Sequence, residues 1–298
     1  MKVNVLMSTY NGERFLQEQI NSILLQRGVK VDLLVRDDGS KDKTLSILDE
    51  YKEKKQLTWF RGKNLKPAKS FLELLRRSYD NADFYAFSDQ DDYWEKDKLE
   101  VATNSLQQYS ERPALYFSRT QLVDAELHPT QNIAINPLLT FGESLIYEFI
   151  PGCTIVMNRQ MRDLINTYTP DYLPMHDVWV YCIAQAVRGK IIFDKTPHIL
   201  YRQHENNTIG QGYSRWHEWH RRWNRFLNNE QSRYRRAYEL RKGFGKVMPA
   251  ENLQLLDLFI AGKTNFYKRG GMVLDKRLRC ANSTTQKLFW LNLLINKY

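Results

Sequence analysis

Three short apolar runs near the N-terminus each stop abruptly in a polar cluster, and this feature limits the possible folds more than any other. Residues 3–7 run into Ser8-Thr9-Tyr10-Asn11-Gly12, residues 31–35 into Arg36-Asp37-Asp38-Gly39-Ser40, and residues 84–87 into Ser88-Asp89-Gln90-Asp91-Asp92. Amphipathic stretches separate them: residues 13–26 with Phe15, Ile20, Ile23 and Leu24 on one side, residues 42–54 with Leu45 and Leu48, and residues 70–79. A further short apolar run lies at 57–60. Strand-length runs alternating with helix-period stretches spell βα units on a mostly parallel sheet. In open sheets of this kind ligands bind beyond the carboxyl ends of the strands, so the three polar clusters are where chemistry is expected.

Beyond residue 92 the pattern continues more loosely. Helices are expected at about 95–109 and 177–187, the second ending at Gly189, and strands at 114–119, 154–157 and 191–193. The polar, proline-punctuated stretch 124–137 reads as a loop. After Gly212 the composition shifts to Trp, Arg and His, which divides the chain into a body of 1–212 and a C-terminal region of 213–298. Charge divides at the same place: of a formal net +10, residues 213–298 hold 18 Lys/Arg against 6 Asp/Glu, and residues 1–212 are close to neutral. A near-neutral body with a basic segment points to a polyanionic partner, either nucleic acid or an anionic membrane surface.

Composition removes several classes. At 298 residues with 42% hydrophobic and 26% charged residues the chain is neither disordered nor fibrous. Cys153, Cys182 and Cys280 show no C-x-x-C spacing, so neither a disulfide framework nor a structural zinc site is suggested. No run approaches the roughly 18 apolar residues of a membrane span, and residues 1–13 lack the apolar core of a signal peptide, so a cytosolic protein is expected.

Acidic groups at neighbouring strand ends repel, because carboxylates a few ångströms apart in partly dry surroundings raise each other's pKa. A divalent cation relieves the repulsion, and oxygen ligands of this kind suit Mg2+ or Mn2+. For Asp37-Asp38-Gly39-Ser40 a turn followed by Asp42 as a helix cap explains the residues equally well. In the third cluster, Asp89, Asp91, Asp92 and Glu95 exceed what a helix entry needs. Asp177, standing before Val178, Val180, Tyr181 and Ile183, reads by itself as an acid at a helix N-terminus.

These blocks closely resemble the signatures of family 2 glycosyltransferases of the GT-A fold. The resemblance is carried by Met7-Ser8-Thr9-Tyr10-Asn11-Gly12, by Arg36-Asp37-Asp38-Gly39-Ser40 with Asp42 and Thr44, and by Phe87-Ser88-Asp89-Gln90-Asp91-Asp92-Tyr93-Trp94. It continues through Pro151-Gly152-Cys153-Thr154, Met175-His176-Asp177-Val178-Trp179 and Tyr201-Arg202-Gln203-His204-Glu205-Asn206-Asn207. Together these span about 1–210 in order, and they look most like bacterial rhamnosyltransferases of capsule, O-antigen or cell-wall polysaccharide synthesis. The resemblance implies an α/β, Rossmann-like, mostly parallel sheet flanked by helices, followed by a basic helical C-terminal extension. It also implies inverting, metal-dependent transfer of a sugar from a nucleotide donor to a saccharide acceptor, with L-rhamnose from dTDP-rhamnose as the expected donor.

By position, Ser8 and Tyr10 would meet the nucleotide base, and Asp38 would hydrogen-bond the base or ribose. Asp89 would serve the ribose or the metal's waters, and Asp91 would bind a Mg2+ or Mn2+ ion bridging the diphosphate. Asp177 falls at the general base, and His204 where some members supply a further metal ligand; His176 reads as a neighbour that orients or packs. Residues 64–71 depart from the pattern, since many members have glycine near 66 and asparagine at 70, which leaves any contact of Lys69 with phosphate unsupported. The chemistry asks for the same residue types, because inversion needs a carboxylate to take the acceptor hydroxyl's proton and a cation to hold the departing diphosphate. No second carboxylic acid is required.

Within 213–242, nine Arg/Lys stand against three Glu, with Trp216, Trp219, Trp223, Phe226 and Leu227 at helical spacing. Such a stripe fits a helix at a bilayer interface, and equally a helix packed on the body. Residues 288–295 are long enough to dock on a membrane and too short to cross it. The expected acceptor is a saccharide on a polyprenyl diphosphate at the inner face of the cell membrane, where the enzyme would be peripherally associated. The sequence is compatible with a homodimer. A hexosyltransferase using a UDP-sugar is the alternative within the class. A sugar-phosphate nucleotidyltransferase would carry a glycine-rich N-terminal loop that Ser8 to Gly12 does not supply, and a nucleic-acid-binding protein acting through the Arg/Trp tail is disfavoured by the acid-rich strand ends.

Overall fold

The computed structural model describes residues 1–130, 135–204 and 233–298. Lys2–Thr9 (β1), Lys30–Asp37 (β2), Thr58–Arg61 (β3) and Phe84–Ser88 (β4) pair in parallel in the order β3-β2-β1-β4. Leu16–Leu24 (α1), Thr44–Glu53 (α2) and Lys66–Arg76 (α3) connect them. The alternating α/β pattern is thus borne out. Side chains of β1 alternate between two cores: Val3, Val5 and Met7 pack with Leu16, Ile20 and Ile23, whereas Leu6 joins Phe71 and Leu75. Coverage on both faces is why the strand is apolar from Val3 to Met7 apart from Asn4, whose amide donates to the Asp32 carbonyl and accepts from the Tyr79 N–H.

In the far half of the sheet a single strand, Val156–Asn158, reverses direction. Tyr93–Trp94 (β5) leads into Lys98–Leu106 (α4), and Ala114–Ser118 (β6) and Gln121–Val123 (β7) precede Phe141–Ile146 (α5). Val156–Asn158 (β8) then runs antiparallel between β4 and β6, and after Arg159–Asn166 (α6) and His176–Ala186 (α7) the strand Lys190–Asp194 (β9) closes the edge parallel to β6. Because β8 is reversed, the 3-10 turn Gly152–Thr154 before it arrives at the edge where β1, β2 and β4 end. The expected strand at 154–157 therefore begins as this turn. Ile199–Arg202 (β10) forms a small second sheet with β5 and β7, which sequence periodicity did not suggest because the segments are two to four residues long.

Four helices end the chain: Arg233–Phe244 (α8), Ala250–Ala261 (α9), Phe266–Leu274 (α10) and Ser283–Leu294 (α11). Ala237, Leu240, Phe244, Leu256, Phe259 and Phe289 belong to the same buried cluster as Leu6, Phe87 and Trp179. Helix α7 is buried at every position, with Trp179 edge-on to Phe244 at 5.9 Å between ring centroids. The expected boundary at 212 and the Trp216, Trp219 and Trp223 stripe lie outside the described residues. Among the described residues no helix is long and apolar enough to cross a membrane.

Candidate active site

At the end of β2, Asp37 is buried and folds the following turn. It accepts hydrogen bonds from the Gly39 N–H (2.9 Å), the Ser40 N–H (3.0 Å), the Thr9 hydroxyl (3.3 Å) and the Ser40 hydroxyl. Gly39 has a φ of 93°, a backbone region that glycine alone enters without strain. Asp38, also buried, is ion-paired with the Arg36 guanidinium and accepts from the Leu65 N–H at 3.1 Å. Arg36 further donates to Ser70 Oγ (3.0 Å) and to the Lys63 carbonyl (2.9 Å), and Ser70 Oγ lies 2.7 Å from Ser8 Oγ. Ser8 and Asp38 are therefore joined through Arg36 and Ser70, two residues for which no local pattern signals a role. Lys66 takes a φ of 62°, so the glycine of many family members near this position has a backbone reason.

Tyr10 follows β1 with its ring exposed and its backbone clamped by Gln90: the Tyr10 N–H donates to Oε1 (2.9 Å), and the Tyr10 carbonyl accepts from Nε2 (3.1 Å). A side chain at Gly12 would collide with the same Gln90 amide. Gln90 thus ties the first strand end to the third.

The acids follow β4. β5 pairs with β10, Tyr93 opposite Leu200 and Trp94 opposite Ile199, and this pairing returns residues 201–204 to Asp89, Asp91 and Asp92. His204 Nε2 lies 2.9 Å from Asp91 Oδ2. Arg202, buried, donates to the Asp91 carbonyl (2.9 Å), to the Ala125 carbonyl and to Glu18, and its own N–H reaches Asp92 Oδ1 at 3.3 Å. Phe15 stands under that guanidinium at 4.4 Å and beside the His204 ring at 5.0 Å. Beneath the loop, Lys98 Nζ is 3.4 Å from the Trp94 ring centroid. Burial pulls the Lys98 ammonium down to about 7, pushes Asp92 well above the carboxylate range with help from Asp91 and Asp89, and pushes the Cys153 thiol up with help from Asp92.

Asp177 occupies the first turn of α7, where its carboxylate accepts from the Val178 N–H at 2.7 Å. Burial raises it to about 7, with Glu148 adding to the rise. Asp89 is likewise pushed up to about 7 by burial, then by Asp91 and Asp177, so these three acids feel one another across a single edge. His176 stacks on Phe71 at 4.0 Å and stands edge-on to Phe87 at 5.0 Å, and burial lowers it to about 3, which leaves a neutral packed ring. A Cβ at Gly152 would stand 2.8 Å from His176 Nε2 and 3.2 Å from Asp177 Cβ, so the glycine permits this close approach.

The donor set decides whether a divalent cation suits the site. Asp89, Asp92 and Cys153 offer ligand atoms within 4.8 Å of one another, but a protonated thiol is a poor partner for an oxygen-seeking ion. On the more open side Asp91 Oδ2 and His204 Nε2 face each other, with side chains 20% and 11% exposed, and the repulsion among Asp89, Asp91 and Asp177 is what a dication relieves. Asp91 and His204, with Asp89 beside them, fit Mg2+ or Mn2+.

Comparison with known proteins agrees with this geometry. The family described as Glycosyl transferase family 2 matches residues 4–161. The dTDP-rhamnosyl transferase RfbG of Shigella flexneri is 32% identical over 230 residues, covering 70% of this chain and 75% of the relative. An uncharacterized glycosyltransferase of Rickettsia typhi is 24% identical, covering 76% and 71%. Among solved structures, S. aureus TarS 1-349 in complex with UDP-GlcNAc matches 100% of this chain and 80% of its own with a TM-score of 0.62 at 18% identity. The mannosyltransferase PcManGT from Pyrobaculum calidifontis in complex with GDP-Man and Mn2+ matches 99% and 86% with a TM-score of 0.51 at 16% identity. The two structures speak to the GT-A fold alone. The family match spans more than half of the sequence and holds both acid-bearing strand ends, and on that ground the chain belongs to glycosyltransferase family 2.

Proposed function

We propose that the enzyme transfers L-rhamnose from dTDP-rhamnose, with inversion, to a saccharide carried on a polyprenyl diphosphate, in capsule, O-antigen or cell-wall polysaccharide synthesis. The supporting observation is the single sheet edge that gathers Asp38, Asp91, His204 and Asp177 in a chain related to a dTDP-rhamnosyl transferase. The basic C-terminal region supports a peripheral position on the inner face of the cell membrane, where a lipid-linked acceptor would be met.

In this reading Ser8 and the exposed Tyr10 ring receive the base, and Asp38, oriented by its ion pair with Arg36, accepts a hydrogen bond from the base or ribose. Asp91 and His204 hold Mg2+ or Mn2+, which when bound neutralises charge developing on the diphosphate. Asp89 orients the ribose or the water about it. Asp177 accepts the proton of the acceptor hydroxyl as that oxygen bonds to the anomeric carbon. The bond from this carbon to the diphosphate breaks on the opposite face, and the nucleoside diphosphate leaves with the electron pair. A general base works best with a pKa near the operating pH, and burial brings Asp177 there.

The test is nucleoside diphosphate release from dTDP-rhamnose, UDP-glucose, UDP-GlcNAc and GDP-mannose, each with Mn2+ or with EDTA. Release from dTDP-rhamnose should exceed the others by at least about tenfold, a discrimination within reach of a few pocket hydrogen bonds, and should stop with EDTA. Preference for a UDP-sugar would replace the donor by a hexose, and release undiminished by EDTA would remove the metal.

A further inference from the structure

The last two helices turn outward what the rest of the molecule hides. α11 buries Gln286, Phe289 and Leu293, while Leu288, Leu291, Leu294 and the following Ile295 are 45% to 72% exposed. Spacings of three and four residues set this second group side by side, away from the buried one. A helix apolar on both faces has a second apolar environment to meet. α10 repeats the pattern: Met272 is its one buried residue, and Phe266, Tyr267 and Leu274 are 69%, 88% and 80% exposed. Gly270 and Gly271 beside them open onto free space. Of the thirteen large apolar side chains exposed among the described residues, seven lie between 266 and 295, which is a patch rather than scatter.

Charge selects the occupant. Residues 263–298 hold eight Lys/Arg against Asp275 alone, and Asp275 is paired with Arg277. A second copy docking through this face would set strongly positive against strongly positive, whereas a surface of lipid phosphates complements it. We infer that the outward faces of α10 and α11 dock on an anionic lipid bilayer, with Phe266, Tyr267 and the leucines entering the head-group boundary and the neighbouring lysines meeting lipid phosphate. The inference rests on the peripheral membrane reading above and assigns it to a surface other than the 213–242 stripe.

The experiment is co-sedimentation of the full chain with phosphatidylglycerol-rich and with pure phosphatidylcholine vesicles at low and high salt. Wild type is compared with Leu291→Gln/Leu294→Gln, with Tyr267→Gln/Leu274→Gln, with Lys268→Gln/Lys276→Gln/Lys287→Gln, and with Arg221→Gln/Arg222→Gln/Arg225→Gln. Either apolar pair should weaken binding to anionic vesicles by about tenfold or more, as loss of two interfacial side chains predicts. The lysine variant should lose the preference for anionic lipid, and the arginine variant should bind as wild type does. Melting temperature and diphosphate release should not change in the two apolar variants and the lysine variant, since their residues lie outside the active site.

If wild type binds and both apolar pairs bind equally well, this surface is wrong and membrane association stands elsewhere. If wild type binds neither vesicle, both the surface and the membrane reading fall, while diphosphate release still reports on the transferase reading. Self-association in sedimentation velocity that the apolar pairs abolish would assign the patch to a second copy.

Discussion

The carboxyl ends of β2 and β4 both carry consecutive acids, yet they differ in what meets the charge. At β2, Asp37 sits among two N–H groups and two hydroxyls, and Asp38 faces the Arg36 guanidinium. At β4, Asp89, Asp91 and Asp92 share their edge with a fourth acid, Asp177, and the Arg202 guanidinium goes to the Asp91 and Ala125 carbonyls and to Glu18, while its backbone N–H meets Asp92. Burial raises Asp89 and Asp177 to about 7, with Asp91 and Asp177 adding to the rise at Asp89, and burial lifts Asp92 well above the carboxylate range. Identical chemistry in sequence therefore serves two ends: acids met by donors build a turn, whereas acids crowded on one another leave a site that fits a cation.

The largest effect should come from Asp91→Asn. Removing that charge should cost transfer roughly a thousandfold, equivalent to several kcal/mol of lost charge stabilisation. Titration calorimetry should show the Mn2+-dependent part of dTDP affinity gone in a protein that still folds. Survival of that dependence would erase the distinction between the two strand ends.

Asp37→Ala should act on the fold instead. It strands two backbone N–H groups and two hydroxyls in a buried turn, at a cost of about 3 kcal/mol in urea unfolding. The Mn2+ response of the folded fraction should persist. A neutral result would show that the β2 acids are not structural.

The smallest effect is a pH dependence. The folded pKa of Asp177, about 7, lies above the ordinary carboxyl value, so the folded chain holds this proton more tightly than the unfolded chain. Stability is then greatest at low pH and falls as pH rises through the window from about 4 to about 7. Asp177→Asn removes this loss, so the variant should melt a few degrees above wild type at pH 8 and level with it near pH 4, by scanning fluorimetry. Coincident profiles would mean that water reaches the carboxylate.

The three polar clusters were legible because each is a run of adjacent residues at a strand end, where pattern and chemistry coincide. The links between clusters were not. Arg36 meets Ser70 across 34 positions and Arg202 meets Asp91 across 111, and no local spacing signals such a meeting. Lys98 lies in the stretch expected to be helical at 95–109, and its burial against Trp94 depends on the fold around it, which no spacing signals. His204 could be placed beside Asp91 by resemblance alone, since a histidine in a polar loop carries no pattern of its own. α11 hid its exposure for another reason: with leucine on both sides, its periodicity does not separate inside from outside.

Arg202 also sets an order of events during synthesis. Its partners at Ala125, Asp91 and Glu18 precede it by 77, 111 and 184 positions, and His204 follows two residues later. A growing chain therefore emits every acid of the 89–92 loop long before the side chain that fastens the loop exists. Since domains fold as their sequence emerges, the parallel half can form first while this loop, tied to Tyr10 by Gln90, still lacks its Arg202 anchor. A message broken anywhere between codons 92 and 202 would yield a product with all its loop carboxylates and without the Arg202 and His204 contacts to Asp91.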